Sequence, residues 1–233
     1  MKAYLESEEV AKMEKAAFNL QDKVLVRMLF HLGCRVSEAL SLTVENVDFG
    51  NSTVTIKHLK ARLMLSCTGC GYRLGRSHAF CPKCGSMIEK TQTEQQEHWR
   101  QKGLPIDDDA LKLLGEYIQH GEPVIKWGKE LIFDINRYRA WQVVKKCAEK
   151  AGLPKLVNPE TGRMHNVSPH TLRDAFAVMA VKRDDTGDGL KMLQEHLGHA
   201  SFNITARYWK IAGEEHRMCY DRLWRSGNSN QSE

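Results

Sequence analysis

Two C-x-x-C pairs within eighteen residues constrain this chain more than any other feature of its sequence. Cys67 and Cys70 form the first pair, in CTGC, and Cys81 and Cys84 form the second, in CPKC. Two intervening residues let both sulfurs of a pair reach one metal ion through a tight turn, and two pairs supply a tetrahedral set for zinc. Because four thiolates leave no open coordination position, we expect the zinc to be structural and not catalytic.

The alternative is that the four cysteines are unrelated thiols. The odd total of seven cysteines argues against a disulfide scaffold, and Gly71 and Gly85 follow the pairs directly, where a metal knuckle needs unusual backbone angles. The surrounding segment, 61–98, is too poor in apolar residues to fold on a core of its own, so metal binding would supply that free energy. We therefore predict a zinc-ribbon-like module over 61–98. Its basic residues favour contact with DNA or a partner protein over a purely stabilising role.

The remainder of the chain is typical of a globular, mainly helical protein. Apolar residues make up 42% and charged residues 27%, which excludes disorder along the whole chain. Apolar positions recur at helical spacing through most of the sequence, whereas Val54 and Ile56 alternate with polar residues as in a strand. GLPI at 103–106 supplies a second strand. We predict an α+β fold with a small antiparallel sheet, in which the zinc module expands the tip of a β-hairpin.

Charge and hydropathy exclude some partners and only permit others. Lys and Arg total 34 against 29 Asp and Glu, a net charge of +5, which permits nucleic acid as a partner without requiring it. No stretch approaches the roughly 18 apolar residues of a membrane span, and the N-terminus lacks an apolar secretory segment. We expect a soluble, cytoplasmic protein without membrane contact. A terminal helix is predicted over 213–224, and the polar tail 225–233 is predicted to be disordered.

Four short motifs contain residues whose side chains could take part in catalysis. They are GCRVSEALSL with Arg35, the strand TVTIKHLK with Lys60, SPHTLRDAF with His170 and Arg173, and LGHASFNITARYW with His199 and Tyr208. Taken singly, each has a structural interpretation: a surface arginine, a strand-end lysine, a helix-capping histidine or a half-buried tyrosine. Their common order and spacing point to a shared site.

In that order and spacing the motifs resemble the tyrosine recombinase (phage integrase) family. The family pattern reads G-x-R-x-S-E-x-L-x-L, H-x-L-R and L-G-H, with a tyrosine nine residues after the last histidine. The resemblance runs from about residue 4 to 224, except for the zinc module. It implies a DNA breaking–rejoining catalytic domain made of 1–60 and 99–224. The implied function is a site-specific recombinase or integrase that cuts DNA through a 3′-phosphotyrosine, without a catalytic metal or an organic cofactor.

The resemblance also implies a role for each residue. Tyr208 would be the nucleophile, Arg35 and Arg173 would hold the scissile phosphate, and His199 would donate a further hydrogen bond to it. His170 would accept a proton near Tyr208, and Lys60 would protonate the leaving oxygen, with Lys102 as the alternative general acid. Glu38 matches an acidic position that would support the site. Asp174 stands where the family often has a basic residue, and we interpret it as support for a neighbouring Arg or His.

The implied partners are double-stranded DNA and, during strand exchange, three further copies of the chain in a homotetramer. The implied location is the cytoplasm of a prokaryote, at the nucleoid. The catalytic pattern begins near Tyr4, so we expect no N-terminal DNA-clamping domain and expect the zinc module or another protein to replace it in part. Two other functions remain open: a DNA-binding regulator on a retired catalytic scaffold, and DNA relaxation of the type IB topoisomerase kind.

Overall fold

A computed structural model describes most of the chain. The described residues are 2–75, 78–88, 91–121, 123–126, 128–158 and 161–209, with the backbone alone described at 58–64, 91–100 and 209. The predicted terminal helix 213–224 and the predicted disordered tail 225–233 lie outside these residues, and so does Cys219.

Helices account for most of the described secondary structure. In the described part of the chain they are α1 (Ser7–Lys15), α2 (Leu20–His31), α3 (Val36–Ala39), α4 (Asp108–Gln119), α5 (Arg137–Lys150), α6 (Pro169–Arg183), α7 (Gly187–Leu197) and α8 (Phe202–Trp209). A 3₁₀ turn, Val44–Asn46, follows α3. None of the helices described is both long and apolar enough to cross a membrane.

Helix α2 is the centre of the helical core. Its residues Val24, Leu25, Val26, Met28 and Leu29 are all fully buried. The helix packs against α1, α4 and α6, so apolar side chains on every side of it find partners. The run KVLVRMLFHL, which is apolar nearly all round, is therefore a buried helix.

In the part of the chain that the structure describes, the strands form three small sheets. The described strands are β1 (Val47–Asp48), β2 (Thr53–Cys67), β3 (Arg73–Leu74), β4 (Thr91–Pro105), β5 (Val124–Lys126), β6 (Lys129–Leu131), β7 (Leu156–Val157) and β8 (Met164–His165). Strand β2 pairs antiparallel with β1 and β3 and also pairs with β4. The pairs β5–β6 and β7–β8 are two-stranded antiparallel ribbons. The predicted fold class, α+β and mainly helical with small antiparallel sheets, is confirmed.

The chain divides into two compact units. One comprises residues 1–54 and 104–233 and holds all eight helices described, and the other comprises 55–103 and holds the four clustered cysteines. The predicted module, 61–98, falls within the second unit, and its exact limits stay a prediction. Strands β2 and β4 both run into this segment, because β2 continues past Lys60 to Cys67 and β4 begins at Thr91.

Side chains satisfy free backbone N–H groups at the starts of the first two helices. Glu9 accepts the backbone N–H of Glu6, which stands at the N-cap of α1. The Asn19 side chain accepts the Asp22 backbone N–H and caps α2. Asparagine is among the residues preferred at this position.

Candidate active site

Arg35 stands immediately before α3 and caps that short helix. Glu38 accepts the Arg35 backbone N–H at 2.9 Å and the Arg35 Nη1 at 2.8 Å. The Glu38 side chain is 8% exposed, whereas that of Arg35 is 43% exposed. A buried carboxylate therefore holds the base of a guanidinium that still reaches solvent, which is the support predicted for Glu38.

Arg173 lies on the buried face of α6 and is only 3% exposed. Its Nη1 donates to the Gly33 carbonyl at 2.8 Å, and its Nη2 donates to the Leu197 carbonyl at 2.6 Å. Burial and then repulsion from Arg35 lower the pKa of Arg173, even though Glu38 attracts the charge. Two guanidiniums that repel each other in a partly desolvated site would be relieved by an anion placed between them.

His199 follows the end of α7, where Gly198 turns the chain with φ of +64°. Its Nδ1 lies 2.9 Å from the Thr205 hydroxyl, and its ring lies nearly parallel to that of Tyr208, with centroids 6.2 Å apart. Burial first, and then the charges of Arg173 and Arg35, lower the pKa of His199 to about 4. The imidazole is therefore neutral near pH 7 and can donate one hydrogen bond to a phosphate oxygen.

Tyr208 projects from α8 towards α6. Its hydroxyl donates to Asp174 Oδ1 at 2.7 Å. Burial raises the pKa of Tyr208, and the negative charge and hydrogen bond of Asp174 raise it further. The phenol is thus held protonated and in a fixed direction, beside His199 and near Arg173.

His170 lies one helical turn before Asp174 on α6. Its Nε2 is 3.8 Å from Asp174 Oδ2, and its side chain is 77% exposed. It was predicted as the proton acceptor near Tyr208, but the group that contacts the Tyr208 hydroxyl is Asp174. Asp174 does lie beside a histidine, as predicted, yet its bond to Tyr208 was missed. The i, i+4 spacing on α6 signals that His170 and Asp174 are neighbours, but it carries no information about Tyr208.

The described side chains thus place five of the six predicted catalytic residues in one region. Arg35, His170 and Arg173 all shift the pKa of His199, and Tyr208 stacks on His199. The sixth, Lys60, lies in β2 within 58–64, where only the backbone is described, and its alternative, Lys102, lies in β4. The choice between the two lysines stays a prediction.

The four clustered cysteines form a second candidate site. All their sulfurs lie within 4.8 Å of one another, with Cys67 and Cys84 Sγ atoms 3.7 Å apart and Cys70 and Cys81 Sγ atoms 3.5 Å apart. Ligands about 2.3 Å from a tetrahedral zinc stand about 3.8 Å from one another, whereas a disulfide needs about 2.05 Å. The cluster therefore fits a metal ion and not two disulfides.

The backbone of each cysteine pair folds into the same turn. Gly71 N–H bonds to the Cys67 carbonyl and Gly85 N–H bonds to the Cys81 carbonyl, both at 2.9 Å. Gly71 and Gly85 have φ of +68° and +72°, angles that favour glycine. The unusual backbone angles predicted after each pair are therefore present. Hydrogen bonds of the Ser86 side chain and backbone, and then of Cys70 and Cys81, lower the pKa of Cys84 to about 6.

Solved structures similar to this one are recombinases. The crystal structure of XerA recombinase matches with a TM-score of 0.62 and 20% identity, over 96% of this chain and 64% of that one. A crystal structure of XerH site-specific recombinase bound to palindromic difH substrate matches with a TM-score of 0.61 and 19% identity, over 96% of this chain and 53% of that one. The fold is thus that of a tyrosine recombinase catalytic domain.

Comparison of sequences leads to the same group. Residues 85–215 match the phage integrase family, and residues 4–65 match the MrpR C-terminal catalytic domain. Because the first match covers more than half of the chain, this protein belongs to the phage integrase family. Tyrosine recombinase XerD of Corynebacterium glutamicum is 27% identical over 217 residues, 90% of this chain and 53% of the relative. Tyrosine recombinase XerA of Pyrococcus horikoshii is 26% identical over 218 residues, 94% of this chain and 60% of the relative. The chain thus spans little more than half the length of these curated relatives.

Proposed function

We propose that this protein is a site-specific DNA recombinase that cleaves and rejoins strands through a covalent bond between Tyr208 and the 3′-phosphate. The observation that carries the proposal is the grouping of Arg35, Arg173 and His199, whose charges influence one another, with Tyr208, whose ring stacks on His199 and whose hydroxyl feels the charge of Arg173. Two guanidiniums and a neutral imidazole suit a phosphate diester, and the phenol beside them supplies a nucleophile.

The chemistry exchanges one phosphate ester for another. The Tyr208 oxygen attacks phosphorus, the bond between phosphorus and the 5′ oxygen breaks, and Lys60 protonates the departing oxygen. Arg35 and Arg173 stabilise the charge that gathers on the non-bridging oxygens, which is the main demand of phosphoryl transfer. The reverse attack by a 5′ hydroxyl rejoins DNA, so no high-energy cofactor is consumed.

A nicked suicide substrate carrying the cognate site tests the nucleophile. Cleavage releases a short fragment with a free 5′ hydroxyl, which diffuses away, so the covalent adduct accumulates and migrates slowly in a denaturing gel. We expect an adduct with the wild type and none with Tyr208→Phe. Tyr138→Phe is the matched control, because Tyr138 is 67% exposed and lies on α5. An adduct with Tyr208→Phe, or none with the wild type, contradicts the proposal.

The products distinguish the two other functions. Recombinant product from two duplex sites supports a recombinase, whereas relaxation of supercoiled DNA without strand exchange indicates a type IB topoisomerase kind of activity. Sequence-specific binding without any adduct indicates a regulator. We further propose a homotetramer on DNA and a prokaryotic cytoplasmic location. Sedimentation of the complex between the protein and two DNA sites tests the homotetramer. A single bound copy on each pair of sites would contradict it.

The general acid can be assigned with a modified substrate. A sulfur atom in place of the bridging 5′ oxygen leaves without protonation, because a thiolate is far more stable than an alkoxide. We propose that Lys60→Ala slows cleavage of normal DNA by about 100-fold, as for loss of a general acid, and that the sulfur substrate restores the rate. If Lys102→Ala shows this rescue and Lys60→Ala retains full activity, Lys102 is the acid.

We propose that the cysteine cluster holds a structural zinc ion in an inserted module that helps bind DNA. Support comes from the sulfur positions and from the two family matches, which leave residues 66–84 and hence all four cysteines between them. Zinc content measured on purified protein should be one ion per chain. Deleting 66–88 while closing the hairpin should weaken duplex binding and reduce its salt dependence. Unchanged affinity and salt dependence contradict a DNA-binding role for the module.

A further inference from the structure

Asp174 lies between Tyr208 and His170. Its Oδ1 accepts the Tyr208 hydroxyl at 2.7 Å, and its Oδ2 lies 3.8 Å from His170 Nε2. The carboxyl group is half-buried, at 19% side-chain exposure, on the same α6 turn as Arg173. It therefore joins the proposed nucleophile to the histidine expected to receive its proton.

A carboxylate is an unfavourable neighbour for a site that must bind a phosphate diester, since like charges repel. It also opposes ionisation of the phenol before DNA arrives, because it raises the pKa of Tyr208. The Tyr208 proton must therefore leave during the attack on phosphorus. As the phenolic oxygen shares an electron pair with phosphorus, its O–H bond weakens and the proton becomes more acidic. At that moment Asp174 Oδ1 is the atom already hydrogen-bonded to the departing proton.

We propose that Asp174 is a catalytic residue that accepts the phenolic proton of Tyr208 and passes it to His170. The inference rests on the proposed function, in which Tyr208 is the nucleophile. As the bond between the phenolic oxygen and phosphorus forms, the O–H bond breaks and the proton moves to Oδ1. It then passes from the carboxyl group to the solvent-exposed imidazole of His170, and the carboxylate is restored. Rejoining returns the proton by the same route, so the cycle has no net proton change.

Other charged or titratable groups face this pair. Tyr208 is influenced by Tyr4 of the N-terminal segment and by Arg173, and the neighbouring His199 is influenced by Arg35, His170 and Arg207. Because these groups titrate or attract charge in their own right, a pH profile alone would not isolate Asp174. The acidity of the phenol is the more specific variable.

Single-turnover cleavage of the suicide substrate provides the test. Asp174→Asn keeps the size and one acceptor oxygen of the side chain but cannot take a proton, so cleavage should slow by about 100-fold. Duplex affinity should be unchanged or tighter, which shows that the variant folds. Asp174→Glu should recover part of the rate. Asp188→Asn is the matched control, because it changes the net charge by the same amount at an exposed position of α7. This variant should cleave at the wild-type rate.

A fluorinated tyrosine at position 208 separates proton acceptance from positioning. Its phenol is more acidic, so it needs less help in losing the proton. The rate penalty of Asp174→Asn should shrink at least tenfold with this residue. A rate penalty that stays the same overturns the proposal, because a hydrogen bond that only positions the phenol serves either phenol equally. Cleavage by Asp174→Asn at the wild-type rate also overturns the proposal. Absence of an adduct with the wild-type chain instead refutes the nucleophile, and this proposal with it.

Discussion

Substitution of Gly33 by alanine should disturb the packing that supports the candidate active site, without altering any of its proposed catalytic residues. Gly33 ends α2 with φ of +54°, and its carbonyl accepts Nη1 of Arg173 at 2.8 Å. A Cβ atom added there would lie 2.4 Å from Cδ1 of Phe176, closer than carbon atoms can approach. The partly buried Phe176 ring stacks on His196 with centroids 4.9 Å apart, so moving the ring away from the new Cβ would disturb that contact.

The expected cost follows from two terms. An L-residue in the left-handed region costs about 1–2 kcal/mol, and overpacking of a well-filled interior costs about 1–3 kcal/mol. Gly33→Ala should therefore lower the free energy of unfolding by about 2–5 kcal/mol. Gly152→Ala isolates the first term, because Gly152 has φ of +69° and no described atom within 4 Å of its added Cβ. That variant should lose only about 1–2 kcal/mol.

Urea unfolding, followed by tryptophan fluorescence, measures the free energy of unfolding of both variants. The comparison requires that the free energy falls with urea concentration at the same slope in both. The difference between them, about 1–3 kcal/mol, is the steric term. The Gly33 carbonyl also positions Arg173, and Gly33→Ala should shift this carbonyl. Gly33→Ala should therefore bind duplex DNA more weakly than Gly152→Ala. Equal loss of stability in the two variants would refute the reasoning, since it would mean that Phe176 yields without cost.

Three further measurements probe the charges of the two sites. His199 should titrate by NMR with a midpoint near pH 4, and phosphate should raise that midpoint, because an anion offsets the field of the arginines. Unfolded His titrates near 6.5, so below that pH the unfolded chain binds more protons than the native one. The free energy of unfolding should therefore fall as pH drops from about 6.5 towards about 4, by about 1 kcal/mol once solvent screening at this partly exposed ring is allowed for. No change in stability over this range would contradict a neutral native His199. Removing the metal with a strong chelator, or replacing Cys81 by serine, should expose reactive thiols in the cluster, whereas Cys34 and Cys147 should stay unreactive because burial raises their pKa values to about 12 and about 11. Reaction of all described cysteines at one rate in the native protein would contradict the metal cluster.

The helices were the most predictable part of the fold. Leu190, Leu193 and Leu197 recur at helical spacing, and all three are buried along α7. Strands were less predictable where burial does not impose alternation. The polar run in Thr91–Pro105 has no apolar period, yet it forms β4 by pairing with β2. The short β5–β6 ribbon was also missed, since three-residue strands carry too few positions for a period to be recognised.

The residues of the candidate site were predictable as a set, but their pairing was not. Motif spacing places Arg173 and Asp174 next to each other on α6, while Tyr208 follows more than thirty positions later. Whether the tyrosine meets a histidine or a carboxylate depends on how α8 packs on α6. That packing is decided by the apolar cluster of Ala177, Val181 and the α7 leucines, against which Tyr208 itself rests. No local pattern in the sequence encodes it.

The two carbonyl bonds of Arg173 have a consequence for how copies of this gene would decay after losing their activity. The side chain links the ends of α2 and α7 across 140 and 24 residues of sequence, so its removal would leave buried carbonyls unpaired in any descendant that still folds. A catalytically dead descendant under selection for folding alone would keep Arg173. The Tyr208 hydroxyl, which bonds the half-buried Asp174 carboxylate, would drift sooner, and its loss is the earlier sign of retirement.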